Sequence, residues 1–163
     1  MTKLIISIAA AAAVVLGAGS VSAQTFGSAA GTKAVTGTLN LKHLLPSTST
    51  CTLNSIPVTV ASTTSVMTNF GGTFGLCTQP LLAGVTAVGD WNVTPNGVDK
   101  VQITTQRINT ILGWCPSKVL NANVTGRGTT WIDLQIPLQT WAGQLSGTCE
   151  ASGTVRVSNV TYS

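Results

Sequence analysis

The fold is decided by the stretch WNVTPNGVDKVQI at residues 91–103. In this stretch the pair Asn96-Gly97 separates two runs in which apolar and polar residues alternate. Asn-Gly in that setting is the strongest short-range signal for a β-hairpin, because both residues tolerate the positive φ that a tight turn requires. The stretch therefore predicts two antiparallel strands, and the rest of the chain carries the same kind of alternation.

Alternation with the period of a β-strand recurs on both sides of this hairpin. The residues predicted to face inward include Val35, Leu39, Leu41, Ile132, Leu134, Ile136 and Leu138. Pro57 cannot donate a hydrogen bond to a neighbouring strand, so its strand is predicted to lie at a sheet edge. No helical period appears after the N-terminal segment. About eight to ten short strands predict an all-β fold, a Greek-key or immunoglobulin-like β-sandwich.

The N-terminus has the features of a cleavable export signal. Lys3 precedes an uncharged run from Leu4 to Gly19, and the small residues Val21-Ser22-Ala23 follow. We predict a signal peptide at residues 1–23, a flexible lead-in at residues 24–33 and a single β-sandwich domain at residues 34–163. No later segment approaches the ~20 apolar residues that span a bilayer, so no membrane span is expected after cleavage. The product is expected to be secreted, with the periplasm or cell surface as alternatives.

All four cysteines lie beyond the predicted cleavage site: Cys51, Cys77, Cys115 and Cys149. An even number of cysteines in an exported chain predicts two disulfides, although four cysteines allow three pairings. Sequential pairing, Cys51 with Cys77 and Cys115 with Cys149, is favoured. The single histidine, His43, has no second histidine at ligand spacing, and no Cys-x-x-Cys pair occurs. We therefore predict no metal site and interpret His43 as a solvent-exposed loop residue.

The inventory of titratable side chains argues against catalysis. The chain has only four acidic residues, at positions 90, 99, 133 and 150, and each has a simple local interpretation as a turn, strand-face or cysteine-adjacent residue. No nucleophile, nucleotide or flavin motif is present, so no catalytic residue and no cofactor are predicted. The formal net charge of +4 comes from scattered basic residues, which form no stripe for nucleic acid.

Four tryptophans are the remaining candidates for ligand contact. Trp91 is interpreted as a core residue, and Trp114 is expected to pack on the disulfide formed by its neighbour Cys115. Trp131 is out of phase with the inward-facing residues of its strand, and Trp141 lies near a glycine in a loop-like stretch. Trp131 and Trp141 are therefore the predicted ligand-contact residues.

The order of several short motifs resembles a known family. These motifs are Gly75-Leu76-Cys77, the hairpin around Trp91, CPSKV at residues 115–119 and CEASGTV at residues 149–155. In that order they resemble the PraB-like protein activators of alkane oxidation, which are small exported bacterial proteins. The resemblance implies an extracellular accessory protein that promotes alkane utilisation and has no catalytic residues. Its expected partner is a hydrophobic substrate or a cell-surface component.

Two other functions remain open from the sequence. Residues 154–163 resemble the terminal strand of fimbrial subunits, in which case residues 24–33 could complete the sheet of another copy and the protein would self-associate. The number of disulfides and the weak alternation of residues 24–33 count against this fibre hypothesis. The other alternative is a secreted polysaccharide-binding module that uses Trp131 and Trp141.

Overall fold

The computed structural model of the protein describes residues 24–43, 48–61, 66–68, 77–78, 86–88, 91–110 and 113–163. The predicted signal peptide at residues 1–23 lies outside this part of the chain. The described residues contain no α-helix, so no helix among them could cross a membrane, and one short 3-10 turn lies at Gln144–Ser146. The all-β prediction is confirmed.

Fourteen strands lie in the described part of the chain, more than the eight to ten expected. They are β1 (Phe26–Ser28), β2 (Ala34–His43), β3 (Ser49–Pro57), β4 (Thr59–Ala61), β5 (Val66–Thr68), β6 (Thr86–Val88), β7 (Asn92–Pro95), β8 (Lys100–Thr104), β9 (Arg107–Thr110), β10 (Gly113–Cys115), β11 (Val119–Arg127), β12 (Trp131–Ala142), β13 (Thr148–Ser158) and β14 (Val160–Tyr162). Several strands have only three residues, which is too short for a period to show in the sequence. Residues 154–163, which resemble the terminal strand of fimbrial subunits, are divided between β13 and β14 at Asn159, which has a φ of 57°.

Nine of the strands form one antiparallel sheet in the order β3-β2-β13-β12-β11-β8-β7-β5-β4. Its two end strands, β3 and β4, are separated in the chain only by Val58. The sheet must therefore fold over on itself, as the layers of a β-sandwich do, so that both of its ends meet near this residue. The predicted edge position of Pro57 is confirmed, because β3 is an end strand. A three-stranded sheet, β10-β9-β6, and the pair β1-β14 complete the fold.

The hairpin predicted from residues 91–103 is formed by β7 and β8, which pair from Asn92 with Thr104 to Pro95 with Val101. The turn spans residues 96–99, and the Asn96 N–H donates to the Lys100 carbonyl at 2.8 Å. Gly97 has a φ of 120°, a conformation that side chains rarely adopt. The Asn-Gly signal therefore located the turn correctly.

Most of the predicted inward-facing residues are buried in one core, including Val35, Leu39, Ile132 and Ile136. Trp91 is 1% exposed, as expected of a core tryptophan. Because each strand buries alternate side chains, the polar residues between them stay on the outside.

Leu138 departs from the prediction, because it is 65% exposed. The register of β12 against β13 shifts by one residue between Ile136 and Gln139, which is a β-bulge. Pro137 lies in this bulge and has no N–H to donate. The extra residue reverses the alternation, so Leu138 leaves the buried face and Trp141 turns towards the core.

Residues 24–33, predicted as a flexible lead-in, contain strand β1. This strand pairs with β14 in the register Phe26 to Tyr162 and Ser28 to Val160. The Phe26 side chain is buried, and its ring centroid lies 5.3 Å from that of Tyr162. The two ends of the described chain are thereby tied together.

Both favoured disulfides are present, Cys51–Cys77 and Cys115–Cys149, with sequence separations of 26 and 34 residues. The second one fixes strand β10 of the small sheet to strand β13 of the large sheet. Two disulfides indicate an oxidising, extracytoplasmic environment.

Candidate apolar interaction site

Four of the five exposed large hydrophobic residues in the described part of the chain lie towards one end of the molecule. The five residues are Val98 (57% exposed), Trp114 (37%), Val119 (42%), Leu138 (65%) and Leu145 (70%). Val98 lies in the turn between β7 and β8. Of the other four, Trp114 lies in β10, Val119 begins β11, Leu138 lies in the second half of β12, and Leu145 lies in the turn between β12 and β13. We call Trp114, Val119, Leu138 and Leu145 the apolar end.

Strand pairing explains why three of these residues share an end. β12 is antiparallel to β13 up to the pair Ala142–Thr148, and the turn that carries Leu145 connects the two strands. β11 is antiparallel to β12 on the other side, so its first residue, Val119, lies level with the second half of β12, which includes Leu138. These positions are set by long-range register rather than by sequence proximity.

Trp114 reaches the same end through its own strand, β10. The adjacent residue Cys115 is bonded to Cys149 at the start of β13, with a Cα–Cα distance of 6.0 Å. The Trp141 indole N–H donates to the Pro116 carbonyl at 3.2 Å, which adds a second tie between this segment and β12. Trp141 itself is partly buried and packs against the core.

The expectation that Trp114 packs on the disulfide is wrong. Cys115 points inward and is buried, and successive side chains of a strand point to opposite faces, so Trp114 must point outward. The Arg107 guanidinium lies 5.8 Å from the Trp114 ring centroid, a cation–π distance. The strand alternation next to a buried cysteine was the signal that could have identified Trp114.

The structure does not bring Trp131 and Trp141 together. They occupy the two ends of β12, ten residues apart, which in an extended strand is roughly 30 Å. The Arg156 guanidinium lies 4.2 Å from the Trp131 ring centroid, and a Cβ on Gly128 would lie 2.2 Å from the Trp131 Nε1. Trp131 is therefore packed between a neighbouring glycine and an arginine.

Each described carboxylate is engaged by a cation. Glu150 bonds Lys42 at 2.8 Å, Asp133 accepts two hydrogen bonds from Arg156 at 2.7 and 2.8 Å, and Asp99 pairs with Arg127. The Arg156 hydrogen bond holds the pKa of Asp133 below its usual value. The fourth acid, at position 90, lies outside the described residues.

His43 is not an exposed loop residue, as the sequence suggested. It is the last residue of β2, is 2% exposed and has its Nδ1 3.2 Å from the Thr110 Oγ1. The inward phase of β2, which also buries Leu39 and Leu41, carries His43 into the core beside the Cys115–Cys149 disulfide. A single histidine in a sequence does not reveal this placement, because it depends on where the strand ends.

Comparison with known proteins identifies the family. Searches of curated proteins and of solved structures found no match to the chain. A family described as "Alkane oxidation protein activator PraA/PraB-like" matches residues 1–162, essentially the whole chain, and confirms the resemblance found in the sequence. The chain therefore belongs to the PraA/PraB-like family of alkane oxidation protein activators.

Proposed function

We propose that this protein is a secreted, non-enzymatic accessory protein that promotes alkane utilisation by adsorbing to hydrophobic surfaces through its apolar end. The family description supplies the connection to alkane oxidation. The two disulfides support a location outside the cytoplasm. The ion pairing of every described carboxylate supports a role without acid–base chemistry, since each group already has a charged partner.

The observation that carries the proposal is the clustering of Trp114, Val119, Leu138 and Leu145 at one end. Single exposed apolar residues are normal on protein surfaces, but a local concentration of them marks an interaction site. Transfer of apolar surface from water to an oil phase gains about 25 cal/mol per Å². Trp114 also brings an indole ring, which suits a boundary between water and an apolar phase.

Two observations favour this proposal over the alternatives. In the fibre hypothesis residues 24–33 pair with another copy, whereas β1 here pairs with β14 of the same chain. In the polysaccharide hypothesis Trp131 and Trp141 act together, whereas they lie at opposite ends of β12.

Adsorption to a hexadecane–water interface tests the proposal. The double variant Trp114→Ser/Leu145→Ser removes two of the four residues of the apolar end. Val98→Ser is the control, because the exposure of Val98 lies between those of Trp114 and Leu145 and the residue lies elsewhere. We expect about tenfold weaker adsorption for the double variant, because two exposed apolar side chains that would enter the oil phase are lost, and no change for Val98→Ser. Equal adsorption of all three proteins would contradict the proposal.

Growth provides the functional readout. A strain that lacks the protein should grow more slowly on alkane than the parent strain and equally well on succinate. Complementation with the Val98→Ser form should restore growth on alkane, and complementation with the double variant should not. Full restoration by the double variant would show that the apolar end is not the functional surface.

A further inference from the structure

One buried cluster of potential metal ligands lies below the apolar end and has no part in the proposed function. A ring nitrogen of His43 and the Sγ atoms of Cys115 and Cys149 all lie within 4.8 Å of one another. All three residues are buried. We propose that these side chains bind Zn²⁺ when the two cysteines are in the dithiol state.

The hydrogen bonds of Thr110 determine which His43 nitrogen carries the proton. The Thr110 hydroxyl donates to the Gly113 carbonyl at 3.0 Å, so its oxygen accepts from the His43 Nδ1 at 3.2 Å. His43 Nδ1 must then carry the hydrogen, which leaves Nε2 with a free lone pair. A histidine that donates from one ring nitrogen and offers the other is oriented as metal-binding histidines are.

The His43 Nε2 is buried and has no hydrogen-bond partner, which is costly for a polar atom in a core. It faces the backbone of Gly143, where a Cβ would lie 2.9 Å from Nε2 and 2.6 Å from the Cys149 Sγ. Glycine at this position leaves space between the imidazole and the sulfur. The orphaned atom thus points into the region that a metal ion would occupy.

The cluster has approximately the dimensions of a zinc site. With Zn–S distances of ≈ 2.3 Å and Zn–N distances of ≈ 2.0–2.1 Å, tetrahedral ligand atoms lie roughly 3.5 Å apart. The Cys115 and Cys149 Sγ atoms are 2.07 Å apart in the disulfide and would separate towards this spacing once the bond is reduced. The His43 ring nitrogen already lies within 4.8 Å of both sulfurs. A cavity of about 10 Å³, lined by residues that include His43, Thr110, Cys115 and Trp141, adjoins two of the three ligands.

The redox state of the cysteines controls this site. Thiolates bind metals, whereas the sulfurs of the Cys115–Cys149 disulfide have no charge to offer. A dithiol reductant would convert the disulfide to two thiols and would itself become a disulfide. Zn²⁺ binding would then release the two thiol protons to solvent. Every copy of an exported chain passes through the dithiol state before oxidation, so the site would be available at that stage.

Cobalt titration tests the proposal with Co²⁺ as the spectroscopic substitute for Zn²⁺. The purified protein is reduced with a phosphine under argon, and Co²⁺ alone is added. We expect one Co²⁺ per chain, with a thiolate-to-cobalt charge-transfer band and visible bands of tetrahedral intensity, and none of these with the oxidised protein. The variant Cys51→Ser/Cys77→Ser should give the same spectrum, because only the buried cluster is needed. Equal spectra from the oxidised and reduced proteins would overturn the proposal.

Two further measurements keep the test independent of folding defects. In the reduced wild-type chain, Zn²⁺ should slow the alkylation of Cys115 and Cys149 relative to the zinc-free protein and leave the rate at the partly buried Cys77 unchanged, as read by mass spectrometry. Thr110→Val, which removes the positioning hydroxyl, should weaken Co²⁺ binding by about 10–100-fold, and Thr110→Ser should restore it. Alkylation of Cys115 and Cys149 at the same rate with and without Zn²⁺ would refute the site.

Discussion

The side-chain amide of Gln139 occupies the place of a strand partner for Asn121. Its Oε1 accepts a hydrogen bond from the Asn121 N–H, and its Nε2 donates one to the Asn121 carbonyl, each at 2.8 Å. The backbone pairing of β11 with β12 runs only as far as Asn123 and Gln135, and the bulge follows. The Gln139 side chain therefore continues the hydrogen-bond ladder between β11 and β12 that the bulge interrupts. Leu138, next to it in the chain, is exposed at the apolar end.

Replacement of Gln139 should weaken this junction. We expect Gln139→Ala to lower the free energy of unfolding by about 1–2 kcal/mol, because two hydrogen bonds are lost at a partly exposed position. Amide hydrogen exchange at Asn121 should accelerate at the same time. Gln135→Ala is the control, since Gln135 is an exposed residue of the same strand, and its effect should stay within about 0.5 kcal/mol. Similar losses in both variants would mean that Gln139 has no special role.

The two disulfides should contribute unequally to stability. Loop closures of 26 and 34 residues each correspond to roughly 3–4 kcal/mol of unfolded-state entropy. Cys115 and Cys149 are both buried in the core, whereas Cys77 is only partly buried. Cys115→Ala/Cys149→Ala should therefore destabilise more than Cys51→Ala/Cys77→Ala in urea unfolding, because it also leaves a cavity. The reverse order would show that the core around β10 collapses readily.

The pairing of the chain ends can be separated from the attachment of the C-terminus. The Tyr162 hydroxyl, whose pKa is raised by burial, lies 2.6 Å from the Gly97 carbonyl and 2.9 Å from the Lys100 carbonyl. Tyr162→Phe should cost about 1 kcal/mol and leave β1 in place. Phe26→Ala removes the buried partner of the ring, so trypsin should cut faster at Lys33. Equal cleavage of all three proteins would show that β1 is held by its backbone alone.

Stability at low pH should depend on Asp133. Its pKa is lowered in the folded state because the Arg156 guanidinium donates two hydrogen bonds to its carboxylate. The stabilisation is then fully present above the unfolded value, about 3.8, and is lost as the pH falls through the lower folded value. Urea unfolding from pH 7 to pH 2 should show this loss in the wild type and a flatter profile in Asp133→Asn. Identical profiles would remove Asp133 as a source of acid sensitivity.

Several features followed from the sequence because they are local properties of the chain. Alternation fixed the strand character of residues 35–42 and 132–136, and Asn96-Gly97 fixed a turn. The edge position of β3 followed from Pro57, because proline has no N–H to donate to a neighbouring strand and a central strand has neighbours on both sides. Cysteine spacing suggested the disulfide pairs that the structure contains.

The tertiary structure alone decided which apolar and polar side chains are exposed. The bulge after Ile136 turned Leu138 outward, and the Cys115–Cys149 bond holds β10, which carries Trp114, close to the turn that contains Leu145. The inward-facing phase of β2 extends to its last residue and buries His43. Alternation along one strand shows that one face of the strand is apolar and the other polar. Whether each face is buried depends on the strands that pack against it, and these are far away in sequence. The sequence thus determined a β-domain with two disulfides, and long-range register determined where its apolar end and its buried histidine lie.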